Sequence, residues 1–302
     1  MAINRASIAR QLVPGLNAIF GTTYKQVIDE HKVLFDTETS ERAFEEEVIF
    51  SDFGIAPVKF EGAAVQLDDA KEGWTSRYIH ENIALGFAIT EEAMADNLYD
   101  STGKRLSAKL AEAVARTKQQ KAANVFNNGF STSYIGGDGQ PLISASHPVA
   151  GGGTQSNTLG SIDLSEAALE TAHIRVSTMN DDRNQLIGAA LVSLHLPPQL
   201  QFVAERILKS QNRSGTADND VNAIKNMGIL AKGWFVNRRF TDANAWFLRT
   251  DVSNGAKLFQ RTPVVTSSYL DFHTGNMLYK ASERYSFGWS NWRQYFGSPG
   301  ST

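Results

Sequence analysis

Histidine, serine and acidic side chains are the residues of this sequence that could carry chemistry, and their spacing offers few places for it. The six histidines stand at positions 31, 80, 147, 173, 195 and 273, so no two lie within twenty residues of each other. The chain has no cysteine. Metal sites place their ligands at short, fixed intervals that are absent from this sequence. We therefore predict no metal and no other cofactor.

One local cluster, formed by Ser144, Ser146 and His147, holds a potential nucleophile and a potential base. A hydrolase needs such groups within hydrogen-bond distance, with a third residue to orient the base. Neighbouring residues in a loop seldom reach that geometry, and no Gly-x-Ser-x-Gly motif accompanies them. We keep a hydrolase using His147 or His195 as the weaker alternative and predict that the chain is not an enzyme.

Length and composition describe an ordinary globular protein. The chain has 302 residues, is 42% hydrophobic and 20% charged, and carries a net charge of −3. One large or two modest domains are expected for this length. The small negative charge argues against a protein that lives on free nucleic acid. The longest apolar runs fall well short of a membrane span, so we predict no membrane partner.

The small net charge hides zones of opposite sign. Residues 41–100 hold fourteen acidic and four basic residues, a net charge of −10. Residues 101–130 carry a net charge of +5, and residues 201–302 carry +6. Such zones could pair within one chain or between copies, or they could be solvated faces that happen to cluster. The candidate intersubunit contacts are Asp68, Asp69, Lys71, Glu72, Trp74, Arg77, Lys104, Arg105, Lys109 and Arg116.

The acidic zone begins as a long predicted β-hairpin. Apolar and β-branched residues indicate short strands at 48–50, 58–60 and 65–67, followed by returning strands at 74–79 and 83–89. An isolated hairpin is marginal in water, so this one needs a surface to lie on.

The basic zone is predicted to be a long helix. Thr90 caps a first helix that runs to about Leu98, and Ser101–Gly103 breaks it. The second helix runs from about Lys104 to Asn127 with a narrow apolar stripe, which indicates packing on a thin layer with one side open.

The remaining elements are less distinctive. Residues 1–35 indicate a mostly extended or partly helical arm that Pro14 and Gly15 interrupt. We predict a structured Gly/Ser-rich loop at 131–160, helices at 166–179 and 198–208, a buried strand at 187–196, and strands at 234–236, 245–248 and 277–289.

Five segments carry a resemblance to a known family. They are PLISASHP at 141–148, LHLPPQLQFVAERILKS at 194–210, GWFVN at 233–237, DANAWFL at 242–248 and ERYSFGWSNWR at 283–293. Together with the order of elements along the whole chain, they resemble the major capsid protein of tailed bacteriophages, and more narrowly the Mu-like major head subunit family.

The resemblance implies an α+β fold of the Hong Kong-97 type. It implies an N-terminal arm at 1–46 and an extended β-hairpin loop at 47–89. The implied peripheral domain covers 90–187 and 266–302 and contains a spine helix at 104–128. The implied axial domain covers 188–265.

The resemblance also implies function and partners. It implies a structural subunit that self-assembles into hexamers and pentamers of an icosahedral shell around packaged double-stranded DNA, in a virion assembled in the bacterial host cytoplasm. Implied partners are other copies, nonspecifically contacted DNA, a portal, a decoration protein, and a separate scaffolding protein and protease. Because the arm begins at once, the resemblance implies either a separate scaffolding protein or a chain already processed, and Met1 favours the former. The alternative within the same fold is an encapsulin-like nanocompartment shell.

Overall fold

The computed structural model describes residues 5–95, 99–149, 151–212 and 221–301. In these ranges the chain forms six α-helices and twelve β-strands. The helices are α1 (Arg5–Gln26), α2 (Glu91–Ala95), α3 (Tyr99–Asn127), α4 (Glu166–Ser177), α5 (Gln201–Lys209) and α6 (Ala223–Met227). The strands are β1 (Asp36–Thr39), β2 (Phe44–Phe50), β3 (Glu72–Ile79), β4 (Glu81–Ile89), β5 (His147–Pro148), β6 (Thr154–Gln155), β7 (Leu191–Leu196), β8 (Trp234–Val236), β9 (Trp246–Thr250), β10 (Ala256–Leu270), β11 (Met277–Trp289) and β12 (Tyr295–Ser298).

The first sheet has the strand order β1-β10-β11-β4 and supports the long helix α3. Strands β10 and β11 are antiparallel neighbours, β4 pairs antiparallel with β11, and β1 pairs parallel with β10. Alternate residues of β11 are buried from Met277 to Tyr285, as expected of a strand with one covered face. Helix α3 lies on that face.

Helix α3 is a rod of about 43 Å at ~1.5 Å per residue. Its buried side includes Leu110, Val114 and Phe126, while much of the opposite side is exposed. Leu110 and Val114 pack with Met277 and Tyr279 of β11. The narrow apolar stripe in the sequence is therefore the contact line between one helix and one sheet.

The second sheet has the strand order β12-β9-β7-β8. Its central strand β7 is buried along nearly its whole length, which agrees with the continuous apolar run in the sequence. Buried residues of α4, α5 and α6 pack with those of this sheet in one hydrophobic cluster. Ser165 caps α4, because its hydroxyl accepts a hydrogen bond from the backbone N–H of Ala168.

The acidic hairpin consists of β2 and β3, paired antiparallel from Phe44 with Ile79 to Phe50 with Glu72. Residues 51–71, which the structure describes throughout, follow an irregular exposed path between them. The strands expected at 58–60 and 65–67 are therefore wrong. These segments pair with no strand among the described residues, so nothing there fixes them in a ladder.

The last strand expected in the hairpin, 83–89, is part of the first sheet instead. It forms β4, which pairs with β11 in the first sheet, and only His80 separates it from β3. The hairpin thus spans Phe44–Ile79 rather than 47–89. The preference of 81–89 for the sheet is explained by Ile89, which is buried against the core under α3.

Two strand pairings cross the expected division into peripheral and axial domains. The boundary at 265/266 falls inside β10, which pairs with β11 from Ala256 to Leu270. Strand β12 lies in the segment assigned to the peripheral domain, but it pairs with β9 of the second sheet. The division into peripheral and axial lobes otherwise stays a prediction.

The N-terminal segment is helical rather than extended, since Arg5–Gln26 forms α1 with Pro14 inside it. Leu16 and Phe20 of α1 are buried against α3 in this chain. The break expected at Ser101–Gly103 is wrong, because these residues lie within α3. A Cβ atom on Gly103 would make only ordinary contacts with Ile89 and Leu16, at 3.4 and 3.6 Å, so packing at this position does not require glycine.

Candidate assembly surface

The root of the hairpin is fastened to the first sheet through Ser290, the residue after β11. The indole N–H of Trp74 donates a hydrogen bond of 2.9 Å to the Ser290 carbonyl oxygen. The hydroxyls of Tyr78 and Ser290 lie 2.6 Å apart, and the Ser290 hydroxyl also donates to Glu47 of β2. Both strands of the hairpin are therefore anchored at one point on the body of the subunit.

An ion-pair cluster reinforces this root. The buried ammonium of Lys257 contacts the carboxylates of Glu38, at 2.8 Å, and Glu47. Burial alone would lower the pKa of Lys257, but the hydrogen bonds from its ammonium to Glu38 and Glu47 outweigh it and raise the pKa. Part of the acidic zone is thus neutralised within the chain by a residue of β10.

The Gly-rich loop after α3 also supports the hairpin. A Cβ atom on Gly137 would come within 2.5 Å of the Thr75 carbonyl oxygen of β3, and one on Gly136 within 2.7 Å of the Trp289 indole nitrogen. Only glycine permits the approach of Gly137 to the backbone of β3. Gly137 therefore serves packing against the hairpin, and Gly136 serves packing against Trp289 of β11.

The tip of the loop exposes a row of apolar side chains. Ile55 is 82% exposed and Leu67 is 90% exposed. The other exposed apolar residues of the loop are Phe53, Val58, Phe60 and Val65. A patch of this kind on an irregular projection is typical of a surface that another molecule covers.

The predicted contact residues of the hairpin lie in three environments. Asp68 forms an ion pair of 2.6 Å with Arg183, whose other guanidinium nitrogen donates to the backbone oxygen of Asp69. Arg77 lies 3.6 Å from Glu46 and stacks over Phe44. The side chains of Lys71 and Glu72 are exposed, while Trp74 is half-buried in the hairpin root.

The predicted contact residues of α3 form an exposed basic stripe. Lys104, Arg105, Lys109 and Arg116 are all exposed, and Arg116 forms an i,i+4 ion pair with Glu112. In this chain the Asp68 carboxylate pairs with Arg183 and not with that stripe. Whether the two zones pair between copies is untested by a single chain and stays a prediction.

The surroundings of His147 are those of a buried side chain that supports the fold. Its ring is fully buried and stacks on Trp292 with 4.3 Å between ring centroids. One ring nitrogen lies 2.6 Å from a carboxylate oxygen of Asp138, and the other lies 3.0 Å from the side-chain oxygen of Asn157. Because both nitrogens are engaged, the ring cannot also act as base toward Ser144, whose hydroxyl donates to Gln140.

His195 is buried as well and lies 2.9 Å from the Ser193 hydroxyl. Burial lowers its pKa to about 3, with a further contribution from Arg249. A base with so low a pKa extracts protons poorly at neutral pH. Neither histidine therefore supports the hydrolase alternative.

Two further features are absent from the described ranges. No group of three or more histidine, aspartate or glutamate side chains there could hold a metal ion. No helix there is long and apolar enough to cross a membrane.

Sequence reasoning missed Arg183, Lys257 and Ser290. Each contacts the hairpin from a segment more than a hundred residues away along the chain. No local pattern marks such residues, since Arg183 lies in a turn and Ser290 follows a strand like many others. Lys257 was hidden because β10 itself was not predicted.

The arrangement can be compared with known proteins once these features are described. The fold resembles a capsid subunit of an empty GTA particle, with a TM-score of 0.57, 13% identity and 90% of each chain covered. It resembles a chain of Mycobacterium phage Adephagia, with a TM-score of 0.54, 11% identity and 90% of each chain covered. It also resembles the SrpI encapsulin of Synechococcus elongatus PCC 7942, with a TM-score of 0.54, 9% identity, and 92% of this chain and 89% of that chain covered. No curated protein matches by sequence.

A long helix across one sheet, a second helix-covered sheet and a projecting hairpin define the α+β fold of the Hong Kong-97 type. The family model described as phage capsid protein matches residues 76–296. The chain therefore belongs to the phage capsid protein family, and its fold is that of tailed-phage major capsid proteins. The narrower Mu-like placement stays a prediction.

Proposed function

We propose that this chain is the major head subunit of a tailed bacteriophage. Copies of it form hexamers and pentamers that close into an icosahedral shell around packaged double-stranded DNA. Assembly takes place in the bacterial host cytoplasm, and the product is the virion capsid. The observation that carries the proposal is the row of exposed apolar residues at the tip of the 51–71 loop.

Burial of these exposed apolar side chains would stabilise an interface through the hydrophobic effect. Fully burying one large aliphatic or aromatic side chain contributes about 1.5–3 kcal/mol. Ile55, Phe60 and Leu67 are each at least 75% exposed in the single chain, so most of this free energy is still available to an interface. A neighbouring copy that covers the tip would therefore gain a substantial contact. Many such contacts in a closed shell add up to high avidity.

Charged residues of the loop and of α3 would set the orientation of the interface between two copies. The loop acids Asp52, Glu61 and Glu72 are exposed, and so are Arg105 and Lys109 on α3. We propose that the acidic loop of one copy lies near the basic stripe of the next. Complementary charges steer association and disfavour wrong registers more than they add affinity.

The remaining partners belong to the same proposal. DNA inside the shell is contacted nonspecifically through phosphates, so these contacts weaken with salt. A separate scaffolding protein and protease would guide assembly. A portal would admit the genome, and a decoration protein could bind the outer surface.

An encapsulin-like nanocompartment is the second candidate, because the likeness in fold to the SrpI encapsulin is close to that found for the phage chains. The two candidates differ in content. Purified particles of a phage head protein should package nucleic acid in the infected host, whereas a nanocompartment should retain a cargo protein. Nuclease-protected DNA supports the head, and a stoichiometric cargo protein supports the nanocompartment.

The experiment that tests assembly uses the whole chain expressed in bacteria. Electron microscopy and sedimentation should show closed particles for the wild type. Replacing Ile55 and Leu67 by Ser should leave soluble, folded subunits that no longer close into shells. The matched variant Ile55→Val with Leu67→Met keeps the apolar surface and should still assemble. Shells from the Ser variant at the wild-type yield would contradict the proposed role of the tip.

A further inference from the structure

The 51–71 loop is held to its own subunit by a turn at 181–185. The Asp181 carboxylate accepts hydrogen bonds of 2.8 Å from the backbone N–H groups of both Arg183 and Gln185. The neighbouring Asp182 forms a buried ion pair of 2.7 Å with Arg293. This turn is therefore fixed on the body of the subunit, and it presents Arg183 in a defined direction.

Arg183 and Gln185 contact both limbs of the loop. One guanidinium nitrogen of Arg183 lies 2.6 Å from the Asp68 carboxylate, and the other donates to the Asp69 carbonyl oxygen at 2.5 Å. The Gln185 side chain donates to the carbonyl oxygen of Phe53 at 3.3 Å. Asp68 also joins the limbs to each other, because its carboxylate accepts a bond of 2.7 Å from the Gly54 N–H.

The contacts made by Arg183, Gln185 and Asp68 form a tether for the loop. This tether lies directly beside the exposed apolar tip. Ile55 follows Gly54 directly and Leu67 precedes Asp68 directly, and both side chains are among the most exposed in the loop. The tether uses a carboxylate and backbone oxygens, so it leaves the apolar side chains uncovered. A contact that inhibited docking would cover these apolar side chains. The tether instead leaves them exposed and fixes the two ends of the segment that docks, residues 55–67.

We propose that Arg183 is a positioning residue for assembly, which orders the tip at 55–67 so that a second copy of this chain can bind it. The inference rests on the proposed function of the tip. Its physical basis is preorganisation, since a loop that is ordered before binding loses less conformational entropy when it docks. The inference also gives the candidate contact Asp68 a role within its own chain.

The test compares Arg183→Gln, Asp68→Asn and the double variant with the wild type. The free-subunit concentration in equilibrium with shells should rise roughly threefold in each single variant, the scale expected for an exposed charged pair. The double variant should lose less than the sum of the two single effects, because the residues share one ion pair, although Arg183 also bonds Asp69 and Asp68 also bonds Gly54. Cleavage of the subunit by trypsin after Lys59 or by chymotrypsin after Phe60 should become faster. Lys209→Gln, which removes an exposed ion pair on α5, should change neither measurement.

The outcomes separate the inference from the proposed function. If the wild type forms no shells, the proposed function fails. If the wild type forms shells and Arg183→Gln assembles at the same concentration, the positioning role is overturned while the proposed function stands. Additive effects of Arg183→Gln and Asp68→Asn would also overturn it, because they would indicate that Asp68 acts on a neighbouring copy.

Discussion

The ammonium of Lys118 lies 3.3 Å from the carboxylate of Glu283, and both side chains are buried between α3 and β11. Tyr24 of α1 donates a second hydrogen bond of 3.2 Å to the same carboxylate oxygen. Burial raises the pKa of Glu283, while Lys118 and Tyr24 oppose that shift. Three elements thus meet at one buried ion pair under the spine helix.

Removing the cation of this pair should destabilise the subunit strongly. Lys118→Met would leave the Glu283 carboxylate in the core without a counter-charge, and its other oxygen already has no hydrogen-bond partner among the described residues. We expect a loss of about 3–5 kcal/mol in the free energy of unfolding, measured by urea denaturation. The double variant Lys118→Met with Glu283→Leu should recover most of it, because no buried charge remains. A stable single variant would contradict this account.

Gly137→Ala should loosen the hairpin root. The added Cβ would come within 2.5 Å of the Thr75 carbonyl oxygen, so either the Gly-rich loop or β3 must move. We expect a loss of about 1–3 kcal/mol in unfolding free energy, the usual range for overpacking. Gly15→Ala in α1 is the matched control, because no atom lies within 4 Å of its Cβ position, and it should stabilise slightly. Equal stability of the two variants would show that the loop does not rest on the hairpin.

The sequence predicts elements whose signal is local. The strand at 277–289 and the long basic helix both follow from periodicity, and both occur in the structure. Prediction from the sequence fails where the conformation of a segment depends on pairing with a distant strand. Residues 58–60 have strand-like composition, yet without a neighbouring strand they stay irregular. Strand β10 was missed because Pro263 stands in its middle and interrupts the strand pattern, while pairing with β11 holds both halves in the sheet across register shifts between Gln260 and Val265.

Prediction of the candidate assembly surface from the sequence is limited in the same way. Clustering of acids and bases could be seen in the sequence, but the ion pair between Asp68 and Arg183 could not, because 115 positions separate them. The apolar residues of the loop were visible as strand candidates. Their exposure, which is the basis of the proposed function, depends on how the rest of the chain folds, and no described part of the chain covers them.

Acid should weaken the subunit through two buried histidines. Burial, with Lys118 as a second cause, lowers the pKa of His31 to about 4, and burial lowers that of His195 to about 3. The unfolded chain therefore binds protons below pH ~6.5 that the folded chain does not, so stability falls as pH drops from 6.5 toward 4. Each histidine should contribute roughly 2 kcal/mol of destabilisation between pH 7 and pH 5.

Urea denaturation at both pH values measures this effect. In the variant His195→Asn the part of the pH dependence that these histidines cause should fall by about half. Equal unfolding free energies of the wild type at pH 7 and pH 5 would refute the prediction.

His147→Ala should act on stability and not on any chemical activity. The substitution removes the ring that stacks on Trp292 and takes the ring partner from the buried Asp138 carboxylate, which keeps only its bond from the Gln140 N–H. We expect a loss of about 2–4 kcal/mol in unfolding free energy. Ser146→Ala, at an exposed position, should leave stability unchanged. An esterase activity in the wild type that both variants abolish would revive the hydrolase alternative.

Reversing charge on the basic stripe should impair shell formation without unfolding the subunit. Arg105 and Lys109 are exposed on α3, so Arg105→Glu with Lys109→Glu should leave the unfolding temperature unchanged. If the acidic loop of a neighbouring copy lies nearby, the new carboxylates repel it, and shells should form in lower yield. Raising the salt concentration to 1 M, where the screening length is about 3 Å, should restore part of the yield. The matched control Arg206→Glu with Lys209→Glu places the same change on exposed positions of α5 and should assemble normally. Normal shells that contain less DNA would instead show that the stripe faces the genome.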